Sequence, residues 1–190
     1  MMLMFPLEEL RGQQLLQEAE GYLELIFVLA DRFELEIAIR DRLAQRSLNC
    51  LDQLPELMKR GEQYYQIWGQ ALQVMEQYQQ AVGPLQQAAM LAPDQIDVWL
   101  SLAWCQKRCG RLDLAIQALE EALLVDSEEA IVHFNLACYW SLAEHSRQAL
   151  THLAEAFELD LKYRDLVDEE EDFDPIRSHP DFLALTGMIV

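Results

Sequence analysis

Residues 96–129 read IDVWLSLAWCQKRCGRLDLAIQALEEALLVDSEE, and this stretch decides the fold. It predicts two helices separated by one glycine. The first runs roughly over residues 95–109 and stops at Gly110, a residue free to take the left-handed conformation that ends helices. The second runs roughly over residues 112–125. Asp126 and Ser127 turn the chain onward, as Pro93 and Asp94 do one stretch earlier. Asp94 is the expected N-cap of the first helix, its carboxylate accepting from an early amide.

The same pattern recurs on both sides. Tyr65, Trp99 and His133 lie 34 residues apart. At the same offset fall Trp68, Leu102 and Leu136, then Gly69, Ala103 and Ala137. Further columns hold Ala81, Ala115 and Ala149; Leu85, Leu119 and Leu153; and Ala88, Ala122 and Ala156. A fixed period with uniformly small or uniformly leucine columns points to stacked helical hairpins. Small residues let two helix backbones approach closely. Large ones fill the space between neighbouring hairpins, which cannot bury their apolar faces alone.

The boundaries follow. Residues 62–163 form three repeats, 62–95, 96–129 and 130–163. Residues 1–61 precede them. Within 15–54, one apolar stripe carries Tyr22, Leu25, Ile26 and Leu29, and a second carries Leu35, Ala38, Ile39 and Leu43, with a break near Arg32 and Phe33. This region reads either as a degenerate fourth hairpin or as an ordinary capping pair. Residues 164–190 open with an acidic run, Asp168 to Asp174, and end in an expected short capping helix from Pro180 that turns Phe182, Leu183 and Leu185 inward.

Composition narrows the function. Lys plus Arg is 14 and Asp plus Glu is 33, a formal net charge of −19. Such a surface excludes a general nucleic-acid binder and docking on anionic lipid. The apolar run over residues 22–30 is about half a membrane span. The first ten residues lack the basic region of a signal peptide. Four cysteines without a dense framework fit a reducing, cytoplasmic setting.

Chemistry is poorly represented. Cys105 and Cys109 share a helix face at i, i+4, and His133 and Cys138 sit one repeat later, but structural zinc usually takes four ligands. Two small buried thiols are the simpler reading. The acidic run lacks the glycine and distal glutamate of a calcium loop. There is no phosphate-cradling glycine loop and no nucleophile elbow. The chain is read as non-enzymatic, without cofactor or metal.

The columns led by Trp99, Leu102, Ala103, Ala115, Leu119 and Ala122, with their counterparts over roughly residues 62–163, resemble the tetratricopeptide repeat (TPR) family. His133 replaces the usual leading aromatic, and Ser127 and Leu161 stand where proline is usual. The resemblance implies an all-α, right-handed superhelix of hairpins, in which each first helix (helix A) lines a concave groove. Groove-facing positions are then Gln63, Gln66, Gln70 and Gln73 in the first repeat; Leu100, Trp104, Lys107 and Arg111 in the second; and Ile131, Phe134 and Cys138 in the third. Leu100, Trp104, Ile131 and Phe134 would anchor apolar groups, and Lys107 and Arg111 would read a carboxylate. The competing reading is that Trp104 and Phe134 lie under the chain's own terminal segments. Family co-chaperones that clamp a C-terminal carboxylate use Lys and Asn where Gln66 and Gln70 stand, so that clamp is not expected. The expected function is a groove that binds a peptide or partner protein. Alternatives are a small acidic TPR chaperone for a secreted client, which the chain resembles in architecture, and a homo-oligomeric scaffold joined through residues 22–30.

Overall fold

The computed structural model describes residues 4–33 and 35–187, which form helices and no strand. The order is α1 (Met4–Arg32), α2 (Ile37–Asp52), a 3₁₀ turn (Met58–Arg60), α3 (Glu62–Val74), α4 (Tyr78–Leu91), α5 (Ile96–Arg108), α6 (Leu112–Val125), α7 (Ala130–Leu142) and α8 (Ser146–Leu159). The short α9 (Lys162–Leu166), a second 3₁₀ turn (Glu171–Phe173) and α10 (Pro180–Thr186) follow. The chain falls into two compact units, Met1–Cys105 and Gln106–Val190.

The 34-residue period reappears in the backbone. Helices α3, α5 and α7 all end in the same two-bond cap. The amides of Gln77, Arg111 and His145 donate to the carbonyls of Leu72, Gln106 and Trp140 at 2.8, 2.9 and 2.9 Å. The residue before each donor is left-handed: Glu76 at φ 59°, Gly110 at 73° and Glu144 at 60°. Only the middle copy uses glycine. The other two bear the steric cost of a Cβ in that region.

The small columns are buried as the pairing demands. Ala81, Ala115, Ala149, Leu85, Leu119, Leu153, Ala88, Ala122 and Ala156 are all fully buried. At Gly69 the approach of α3 to α4 is so close that a Cβ would stand 2.5 Å from Leu85 Cγ and 3.2 Å from its backbone nitrogen. Each buried leucine contributes on the order of 2 kcal/mol by leaving water.

In the first unit, α1 and α2 pair, and both pack on α3. Leu16, Ala19, Leu23 and Ile26 of α1 meet Ala44, Cys50 and Leu51 of α2 and Ile67 and Ala71 of α3. In the second unit, α7 packs on α6 and α8. Helix α1 begins at Met4, upstream of the apolar stripes within 15–54. One helix start differs from expectation. Helix α5 begins at Ile96, so Gln95, not Asp94, stands immediately before it.

The substitution of His133 for an aromatic has a physical explanation. In the second repeat Trp99 Nε1 donates to the Pro93 carbonyl at 2.9 Å. In the third, His133 Nε2 lies 3.0 Å from the Ser127 carbonyl, the equivalent atom. A carbonyl only accepts, so Nε2 carries the proton. In the neutral ring His133 Nδ1 is then an acceptor, and His152 Nδ1, 3.0 Å away on α8, donates to it. Burial, reinforced by His133 and opposed by Glu155, holds the His152 pKa below its usual 6.5.

Two outcomes follow from this packing. Gly69→Ala should destabilise by about 1–3 kcal/mol through overpacking, whereas Glu144→Gly should stabilise by about 1 kcal/mol by relieving the left-handed turn. Urea unfolding of the two variants checks both. The unfolded chain binds more protons than the folded one between the depressed His152 pKa and 6.5. Stability should therefore fall as pH drops below 6.5 and be unaffected by this group above it. His152→Gln should flatten that part of the profile in urea titrations at pH 5.5 and 7.5.

Candidate functional site

The expected groove residues divide between the two units, and their environments differ. In the first unit, Gln63, Gln66, Gln70 and Gln73 run along α3 and are all half-buried. Gln63 Nε2 donates to Glu20 Oε2 of α1 at 3.4 Å, so this end of the stripe meets the N-terminal hairpin. On α5, Leu100 is half-buried and Trp104 remains 40% exposed.

In the second unit the corresponding stripe is covered. Ile131, Phe134 and Cys138 stand 34 residues after Asp97, Leu100 and Trp104. Ile131 is half-buried, but Phe134 is only 5% exposed and Cys138 only 2%. The cover is the chain's own C-terminal segment. The Phe134 ring stacks on Tyr163 at 4.8 Å between centroids and takes the edge of Phe173 at 5.6 Å. Phe173 in turn lies 5.6 Å from Phe182. Phe134 and Cys138 therefore face this chain rather than solvent.

The acidic run is likewise not a solvated loop throughout. Lys107 Nζ pairs with the Asp172 carboxylate and lies 5.4 Å from the Tyr139 ring centroid. The ammonium expected to read a partner's carboxylate thus holds one from its own chain. Arg111 is exposed and stands just before α6. Burial, helped by the charges of Glu170 and Asp172 and opposed by Lys107, pushes the Cys138 thiol far above its usual pKa. It is a neutral, shielded group and not a nucleophile.

Sequence reasoning missed the residue that shapes the run. Arg177 donates from Nη2 to the Glu170 carbonyl at 2.7 Å, from Nη1 to the Val167 carbonyl at 3.3 Å, and from Nε to Asp174 Oδ1 at 2.9 Å. One guanidinium gathers backbone and side-chain acceptors of a stretch that would otherwise repel itself. The available signal was its isolation: Arg177 is the sole Lys or Arg after Arg164. Phe173, the lone aromatic among six carboxylates, was a similar signal.

One cleft brings together residue types found in catalytic triads. Ser146, His179 and Asp181 line one open cleft of about 610 Å³ between α8 and α10. Their types match a nucleophile–base–orienter triad, but their geometry does not. His179 Nδ1 accepts the Asp181 backbone amide at 3.2 Å, which makes His179 the N-cap of α10. The neutral ring then carries its proton on Nε2 and has no lone pair there to take one from serine. Among the described residues no three His, Cys, Asp or Glu are grouped to hold a metal ion. No helix among them is long and apolar enough to cross a membrane.

Residues 75–134 match the family model of the tetratricopeptide repeat. No curated protein sequence matches the chain. Among solved structures, one crystal structure of MamA superposes with a TM-score of 0.59 at 20% identity, over 77% of this chain and 81% of that one. Another MamA structure gives 0.59 at 20%, over 82% and 98%. YrrB, described as a TPR protein with an unusual peptide-binding site, gives 0.58 at 17%, over 80% and 74%. At these identities the likeness concerns the fold, which is the all-α hairpin architecture of this family, one that generally serves protein–protein interaction.

Proposed function

Because the chain carries tetratricopeptide repeats, we propose that it is a non-enzymatic interaction module that takes a peptide or a segment of a partner protein on the exposed stripes of its A helices. The observation that carries this reading is the contrast between equivalent positions. Leu100 and Trp104 leave a large aromatic surface 40% exposed at Trp104, whereas Phe134 and Cys138 are covered. A rigid indole on a preformed helix face is a strong anchor, because it buries much area at little entropic cost. The glutamines of α3 offer amide donors and acceptors suited to an extended peptide backbone. A reducing compartment such as the cytosol suits the chain, whose four cysteines are all free.

A second reading, a homo-oligomeric scaffold, has its own support. Leu25, Phe27 and Val28 near the end of α1, with Phe33 and Ile37 beyond it, are exposed large apolar residues close together in the chain. Copies joined there would bury them.

Two measurements separate these. Trp104→Ala should keep the helical content and weaken partner capture from source lysate by about 2 kcal/mol, roughly thirtyfold. Recovery of the same partners at the wild-type level would remove the interaction-stripe reading. For the scaffold, sedimentation should show an assembly that Phe27→Ser with Phe33→Ser dissolves, and a clean monomer at tens of micromolar would exclude it.

A further inference from the structure

We infer that the stripe of α7 bearing Phe134 and Cys138 is a recognition site for an acidic peptide with a phenylalanine directly after a carboxylate, and that the chain keeps this site closed with its own Asp172 and Phe173. The inference rests on the interaction-module reading and names a ligand class for one stripe of it.

The covering segment has the form of a ligand. It follows the 34-residue repeats and meets α7 through the 3₁₀ turn Glu171–Phe173, beside Tyr163 of α9. Phe173 is fully buried against Phe134, and Asp172 meets Lys107. An aromatic anchor beside a charge-assisted pair is the economy of a short recognition motif, with one group supplying area and the other direction. The charges are complementary in a chain where cations are few. Lys107 and Tyr139 lie in reach of each other, so the ammonium is held between a carboxylate and a ring face.

The same segment is poorly equipped to hold itself. Helices α9 and α10 have 5 and 7 residues, and the turn between them has 3. Helices this short are unstable in water without a surface to pack on. Six carboxylates crowd residues 168–174, and Arg177 is the cation within the segment that ties them down. Elements of this kind open locally at less cost than the repeats beneath them. Opening would return Phe134 to the exposed state that Trp104 has one repeat earlier, and a partner with the same acidic–aromatic motif would enter.

Cys138 reports the opening. It shares the stripe with Phe134 and is buried with it, while Cys50, buried in the other unit, reports global unfolding. In the full chain, Phe173→Ala should raise the alkylation rate of Cys138, followed by peptide mass mapping, by about tenfold while Cys50 keeps its wild-type rate. A synthetic peptide of residues 166–178 should restore protection in that variant. The same peptide with Phe173→Ala should not, and adding Lys107→Gln to the chain should weaken the rescue. Equal acceleration of Cys138 and Cys50 would overturn the proposal, because the segment would then be inseparable from the fold. So would failure of the peptide to protect. If intact wild-type chain protects Cys138 of the variant as well as the peptide does, the occupant is a second copy and the partner assignment falls. The interaction-stripe reading at Trp104 is tested separately by its own variant and survives any of these failures.

Discussion

Close approach between paired helices is the constraint on which the rest depends. It requires a small residue at each crossing, a leucine filling the space beside it, and a left-handed residue to reverse the chain. Gly69 against Leu85 shows how little room remains, since a single added carbon would collide with the leucine side chain and press on its backbone nitrogen. The same requirement fixes the turn. Two glutamates occupy left-handed positions in the flanking repeats, so the hairpin geometry is stable enough to bear their strain.

What the sequence made legible was whatever that geometry repeats. Columns such as Leu85, Leu119 and Leu153 could be read because one physical demand recurs at one spacing, and all three are buried. The left-handed residues were legible only where glycine stood. Glu76 and Glu144 carry no compositional sign of their conformation. The helix boundary at Gln95 was misread by one residue because capping preference favours aspartate, while the actual boundary follows the turn before it.

The candidate site was less legible, for a reason that particular residues make clear. The period places Phe134 at the position equivalent to Leu100, and a groove follows by analogy. What covers Phe134 does not repeat, and nothing periodic announces it. Phe173 lies 39 residues downstream in a run whose charges suggest solvent. It packs on Phe134 and Phe182, while Lys107 pairs with the neighbouring Asp172 and Arg177 holds the Glu170 carbonyl, from elements that share no pattern. Contacts between a repeat and an irregular tail are long-range and singular, which is the kind of information that one sequence conceals.

The exchange of Trp99 for His133 carries a wider implication. Both rings direct a nitrogen-bound proton at the equivalent carbonyl, six positions upstream, although they differ in size and in the number of ring nitrogens. What the second and third copies share is a donor at a given reach, not a residue type. Degenerate repeats therefore form a graded series, in which chemical equivalence can persist after resemblance in letters has faded. The histidine also brings a property that indole lacks, namely a second nitrogen, and through it the last hairpin becomes answerable to acidity where its predecessor is not.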